Sequence, residues 1–136
     1  MIPIEQTILT PPDGNCFAAC VASILEVPLA EVPSVPEPAW WPALEAWLAP
    51  RGLAVLHFAV RPEDIYRPPG YAILHADAPR DPEVKHAVVV RDGEIVWNPH
   101  PMRHLGVGAH RGFTVFVALD PSTRAPNPDP RVHADP

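Results

Sequence analysis

The chain has 136 residues, 47% of them apolar, and a formal charge of −6. That is enough for one globular domain with a single core, and the acidic balance argues against a nucleic-acid partner, which needs a basic face. The 21 prolines are spread along the chain and imply short elements joined by stiff loops, because each fixes its own φ and removes an amide donor.

Residues 1–12 read as an extended lead-in. Pro11-Pro12-Asp13-Gly14 reads as a turn, and Asn15 is placed to cap a helix starting near Cys16. Phe17, Cys20, Val21 and Ile24 then recur at helical spacing until Pro28. The stretch from Pro28 to Pro38 reads as an irregular loop with room for one helical turn. Trp40, Leu44, Trp47 and Leu48 form one apolar stripe of a second helix over 40–48, ended by Pro50 and Gly52.

From there the period is that of strands: 53–60, 71–76, 84–91, 94–98 and 113–119. The third and fourth flank Asp92-Gly93, a strong short-range hairpin signal. Residues 121–136, rich in proline and poor in apolar side chains, are expected to be a disordered tail to a single domain over 1–120. Helices first and strands afterwards indicate α+β, with the first helix packed on a small antiparallel sheet.

The chain shows no apolar run near the roughly 20 residues of a membrane helix, and its first residues lack the pattern of a signal peptide. Cys16 and Cys20 cannot staple a secreted mini-protein, so a reducing, cytoplasmic location is the default expectation. In such a compartment a cysteine is either buried packing or chemistry. Gly14-Asn15-Cys16 stands where a loop becomes a helix. Unpaired first-turn amides and the helix dipole favour a thiolate there, so the Cys16 pKa is expected to fall, the more so beside an imidazole. Cys20, one turn on and in the apolar stripe, reads as packing.

His86 opens a valine-rich strand, sharing a face with Val88 and Val90 while Ala87 and Val89 point the other way. A two-residue loop pairs Arg91 with Glu94, which sets residue 99 opposite His86 and Asn98 diagonal to it, within reach of an imidazole nitrogen. A register change of one residue would move Asn98 to the other face. Gln6, ten residues before Cys16, carries a side-chain amide suited to an oxyanion. Each of these has a bland alternative as core or surface packing, and Gln6 gains meaning only with the cysteine.

In order, Gln6, Cys16, His86 and Asn98 resemble the Gln–Cys–His–Asn/Asp order of papain-like cysteine peptidases. Gly14-Asn15-Cys16-Phe17-Ala18-Ala19-Cys20 is similar to the cysteine-bearing helix start of the short, NlpC-like members. His86 to Val90, Gly93 and Asn98-Pro99 resemble their histidine hairpin. The likeness spans most of residues 6–100, with only general agreement between its two ends. It departs from the larger enzymes in lacking their Cys-Gly-Ser-Cys-Trp run. The resemblance implies a papain-like fold, with Cys16 as nucleophile, His86 as base, Asn98 orienting it and Gln6 as oxyanion donor. It implies hydrolysis of a peptide or isopeptide bond in a peptide or protein substrate, without a cofactor.

Three alternatives stay open: acyl transfer or deamidation on the same triad, an inactive papain-like fold that binds a partner, and a metal site at His100, His104 and His110. The last lacks the spacing of a zinc box, and no metal is expected.

Overall fold

The apolar spacing after Asn15 folds as α1 (Cys16–Leu25) in the computed structural model, which describes residues 1–10, 14–34, 38–120 and 122. The expected turn at residues 11–13, part of the proline-rich loop at 35–37 and nearly all of the expected tail lie outside the described residues. α1 ends before Pro28, at Glu26, whose left-handed backbone (φ 58°) brings the Val27 amide back onto the Ala22 carbonyl at 3.1 Å. The residue before a proline is disfavoured in a helix, so the stop falls early. A single 3₁₀ turn, Leu29–Glu31, occupies the following loop.

α2 (Trp40–Leu48) buries Leu44 and Leu48 completely and packs Trp40 and Trp47 at the margin of the same core. A 3₁₀ turn through Pro50 and a left-handed Gly52 close it.

Five strands follow: β1 (Leu53–Ala59), β2 (Tyr71–Ala78), β3 (Asp81–Arg91), β4 (Glu94–Trp97) and β5 (His110–Ala118). They form one antiparallel sheet in the order β1-β5-β2-β3-β4. The Asp92-Gly93 turn has both residues left-handed, at φ 53° and 85°, as a type I′ hairpin requires. Gly112 in β5 is needed for a different reason. A Cβ there would lie 2.6 Å from the Phe58 carbonyl of β1, so any side chain would push the two strands apart.

The single core expected from chain length is divided by the sheet. On one face α1 and α2 cover Ile73, Ala87 and Val89. On the other, Leu74, Val88, Val90 and Phe113 form a second cluster, with the Tyr66 ring edge-on to Phe58 and Phe113. Each fully buried Val, Leu or Phe contributes about 1.5–3 kcal/mol, so β2 and β3 gain on both faces. Strands buried on both sides read as continuous apolar runs, which is the pattern of Ala87 to Val90.

β4 pairs with only Val89, Val90 and Arg91 of β3. The outer edge of β3 upstream of Val89 therefore has no strand beside it among the described residues. The N-terminus of α1 sits against that edge, near enough for the Ala87 amide to favour the Cys16 thiolate. Among the described residues no helix is long and apolar enough to cross a membrane.

Candidate functional site

The uncovered edge of β3 opens into a cavity of about 500 Å³. Gln6, Cys16, His86 and Asn98 all line it, so the four residues singled out in the sequence meet in one place. The end of β2, the turn after it and the start of β3 supply much of the facing wall, with Leu9, Met102 and Leu105 adding apolar surface.

Asn98 reaches His86 by a route the regular ladder does not provide. Continued unbroken from Arg91 opposite Glu94, the ladder would set Asn98 opposite Ala87, on the face away from His86. A β-bulge intervenes: Val90 pairs with Ile95 but Val89 pairs with Trp97, leaving Val96 as the extra residue. Trp97 then packs with Val89 on the helix side, and Asn98 falls on the face of His86 and Val88. The register change expected to separate the two side chains is what joins them.

The contact is a buried hydrogen bond of 2.7 Å between His86 Nε2 and Asn98 Oδ1. The same Oδ1 accepts the main-chain amide of His100 at 3.0 Å. That amide can only donate, so the oxygen's position is fixed. His86 must present Nε2–H to it, which leaves Nδ1 as the basic atom. Burial pushes the His86 pKa below the ordinary histidine value; the Asn98 bond opposes this, and His100, its ring centroid 5.9 Å away, adds to it.

Main-chain and side-chain bonds stitch the N-terminal segment over this edge. The Gln6 main-chain N–H donates to Pro99 O at 3.1 Å, the Trp97 indole donates to Ile4 O at 3.0 Å, and Arg103 holds both Asn98 O and the Glu5 carboxylate. Asn15 occupies the cap position of α1, yet its side chain does not cap. Its Oδ1 instead accepts the amides of Thr7 and Ile8 at 3.0 and 2.9 Å. This corrects the expected capping role, and it keeps the first-turn amides of α1 free of a side-chain cap.

The main-chain amides of Ala87, Phe17 and Cys16 itself favour the thiolate. Burial outweighs them and raises the Cys16 pKa, which overturns the expected depression. The resting group is a neutral thiol. Cys20 is fully buried and raised well above the ordinary value, first by burial and then by Cys16, in keeping with packing. Gln6 keeps only 7% of its surface exposed, and its Nε2 donates to Ile8 O at 3.0 Å.

Among the described residues no three His, Cys, Asp or Glu side chains converge as a metal set. His100 belongs to the cavity wall, and Nδ1 of its ring accepts the Met102 amide at 3.0 Å; its place two residues after Asn98 was the only signal for this. A second polar cluster had no signal at all in the sequence. His57 Nδ1 and His75 Nε2 share the Thr114 hydroxyl at 3.2 and 2.8 Å, and the His75 ring stacks on Phe17, the neighbour of Cys16. A third is the buried Asp77 carboxylate near the end of β2, which binds Lys85 of β3 at 2.7 Å and Arg111 at the start of β5 at 2.8 Å.

No protein-family model matches the chain, and a search of the curated proteins finds no match either.

Proposed function

We propose that this protein is a thiol hydrolase of the papain-like type, cleaving an amide bond in a peptide or protein through Cys16, His86 and Asn98. The observation that carries the reading is the buried 2.7 Å bond from His86 to Asn98, in a cavity that Cys16 shares. A base held in one tautomer by a fixed oxygen is what nucleophilic catalysis requires.

Burial keeps both partners neutral at rest, so the mechanism is general-base rather than ion-pair. As Cys16 attacks the carbonyl carbon, His86 Nδ1 takes the thiol proton, and Asn98 Oδ1 stabilises the imidazolium through Nε2–H. The first-turn amides of α1 and the Gln6 side chain serve the oxyanion. The imidazolium then protonates the leaving nitrogen, and water completes hydrolysis of the thioester. Two free cysteines fit a reducing, cytoplasmic setting, where the thiol stays available.

Alkylation of the folded protein with iodoacetamide, read by peptide mass, tests the reading. Cys16 is expected to label on the order of 10²-fold faster than Cys20, which reacts only on unfolding. Equal, slow labelling of both would leave the papain-like fold as a binding module.

A further inference from the structure

Gln6 holds a polar atom that the steps above do not use. The Ile8 carbonyl can only accept, so the bond it receives from Nε2 fixes which way the Gln6 amide faces. Oε1 is then buried with no hydrogen-bond partner among the described residues, on a side chain that keeps 7% of its surface exposed and lines the cavity that Cys16 also lines. Buried acceptors are nearly always paired. An orphaned one in a cleft marks the place where a donor on the ligand belongs.

Nε2 carries two hydrogens, and Ile8 takes one. What remains for a ligand is one donor and one acceptor on the same small amide. The complement is a group with an oxygen and a hydrogen on one side. A trans peptide bond places its C=O and N–H on opposite sides and satisfies only half of the Gln6 amide. A primary carboxamide has a hydrogen syn to its oxygen and satisfies both. The apolar wall of Leu9, Met102 and Leu105 suits a methylene stem behind such a group.

Resting on the thiol-hydrolase reading, we infer that the cleft takes a primary carboxamide on a short aliphatic stem, the group that ends a glutamine or asparagine side chain, and releases its nitrogen as ammonia. The Cys16 sulfur bonds to the carboxamide carbon while the thiol proton passes to His86 Nδ1. The C–N bond breaks, and that proton goes to the leaving nitrogen, which departs as ammonia. Water then adds to the thioester, giving the carboxylic acid and restoring the thiol. One water is consumed for each ammonia released, and no oxidant or cofactor is needed.

Three chloroacetyl reagents test this on the intact chain: 2-chloroacetamide, N-methyl-2-chloroacetamide and methyl chloroacetate. Each rate at Cys16 is divided by the rate of the same reagent with glutathione, which removes intrinsic reactivity. The primary amide should be favoured by about 10-fold or more over both others, because a site built to pair a donor and an acceptor rejects analogues that lack one. Gln6→Met should abolish the preference, while Gln6→Glu, which keeps an acceptor, should hold part of it.

Equal preference for the N-methyl amide would overturn the assignment in favour of a peptide-type bond, and ratios matching glutathione for all three would overturn it outright. A preference that survives Gln6→Met would also sink it. The wild-type comparison decides the matter even if the variants do not fold. If Cys16 reacts with none of the reagents until the chain is unfolded, the thiol-hydrolase reading itself fails.

Discussion

Two histidine clusters lie on this sheet, and they use their polar partners differently. At the cavity, His86 meets a carboxamide oxygen that is already fixed by the His100 amide, so the imidazole has one tautomer and one basic nitrogen. Under α1 and α2, His57 and His75 share the Thr114 hydroxyl, which rotates to donate to either ring or accept from both. The first arrangement selects a tautomer, whereas the second only pairs an exposed ring and a half-buried one with a shared hydroxyl. A histidine in a low-dielectric setting is therefore not enough to mark chemistry. What distinguishes the catalytic candidate is a partner that cannot change its role, with a nucleophile in the same cavity.

The largest effect expected of this contrast is on acid stability, and it belongs to the second cluster. Burial, and then the neighbouring His57, push the His75 pKa down to about 4. The unfolded chain takes up that proton near 6.5, so between the two values the unfolded state binds more protons. Stability should fall by on the order of 3 kcal/mol as pH drops through this window. Urea unfolding at several pH values checks it. His75→Phe should remove most of the loss, leaving the smaller part due to His86, whose pKa is lowered in the same direction. A loss unchanged in His75→Phe would show that the ring is not titrating there.

Asn98→Leu should break the first cluster. It leaves the His86 ring and the His100 amide unpaired, at about 1–3 kcal/mol of stability. It also frees the imidazole to exchange tautomers, so alkylation of Cys16 at neutral pH should slow by about 10-fold or more. The smallest effect is expected from Thr114→Val, costing about 1–2 kcal/mol in denaturant unfolding with the Cys16 alkylation rate intact. If Thr114→Val slowed Cys16 as much as Asn98→Leu, the two clusters would be one functional unit linked through the Phe17–His75 stack.

Much of this architecture was legible in residue pattern. Asp92-Gly93 located the hairpin because only a few sequences tolerate two left-handed residues in a row, and the tryptophan–leucine stripe of α2 gave its exposed and buried sides. Gln6, Cys16, His86 and Asn98 were picked out by order and residue type, and they do line one cavity. The details that make the site were not legible. Nothing in Ile95-Val96-Trp97 announces which residue is extra, so the bulge that turns Asn98 toward His86 emerges only from the packing of Trp97 on the helix side.

Asn15 looked like a cap because its type and position fit. The competing demand of the Thr7 and Ile8 amides is non-local. The raised Cys16 pKa likewise depends on how deeply α1 seats against β3, which helix position alone does not reveal. The His57–Thr114–His75 cluster required knowing that β5 lies between β1 and β2, an adjacency that sequence order conceals.

In the proposed mechanism His86 acts as the base for a neutral Cys16 thiol. The rate of Cys16 alkylation across pH, in the wild type and in His86→Ala, addresses it most directly. The wild type should show a rate that rises with pH, since the raised thiol pKa keeps thiolate scarce at neutrality. It should exceed the variant by on the order of 10²-fold near pH 7, with the two curves converging where hydroxide alone ionises the thiol. Superimposable profiles at every pH would contradict the claim.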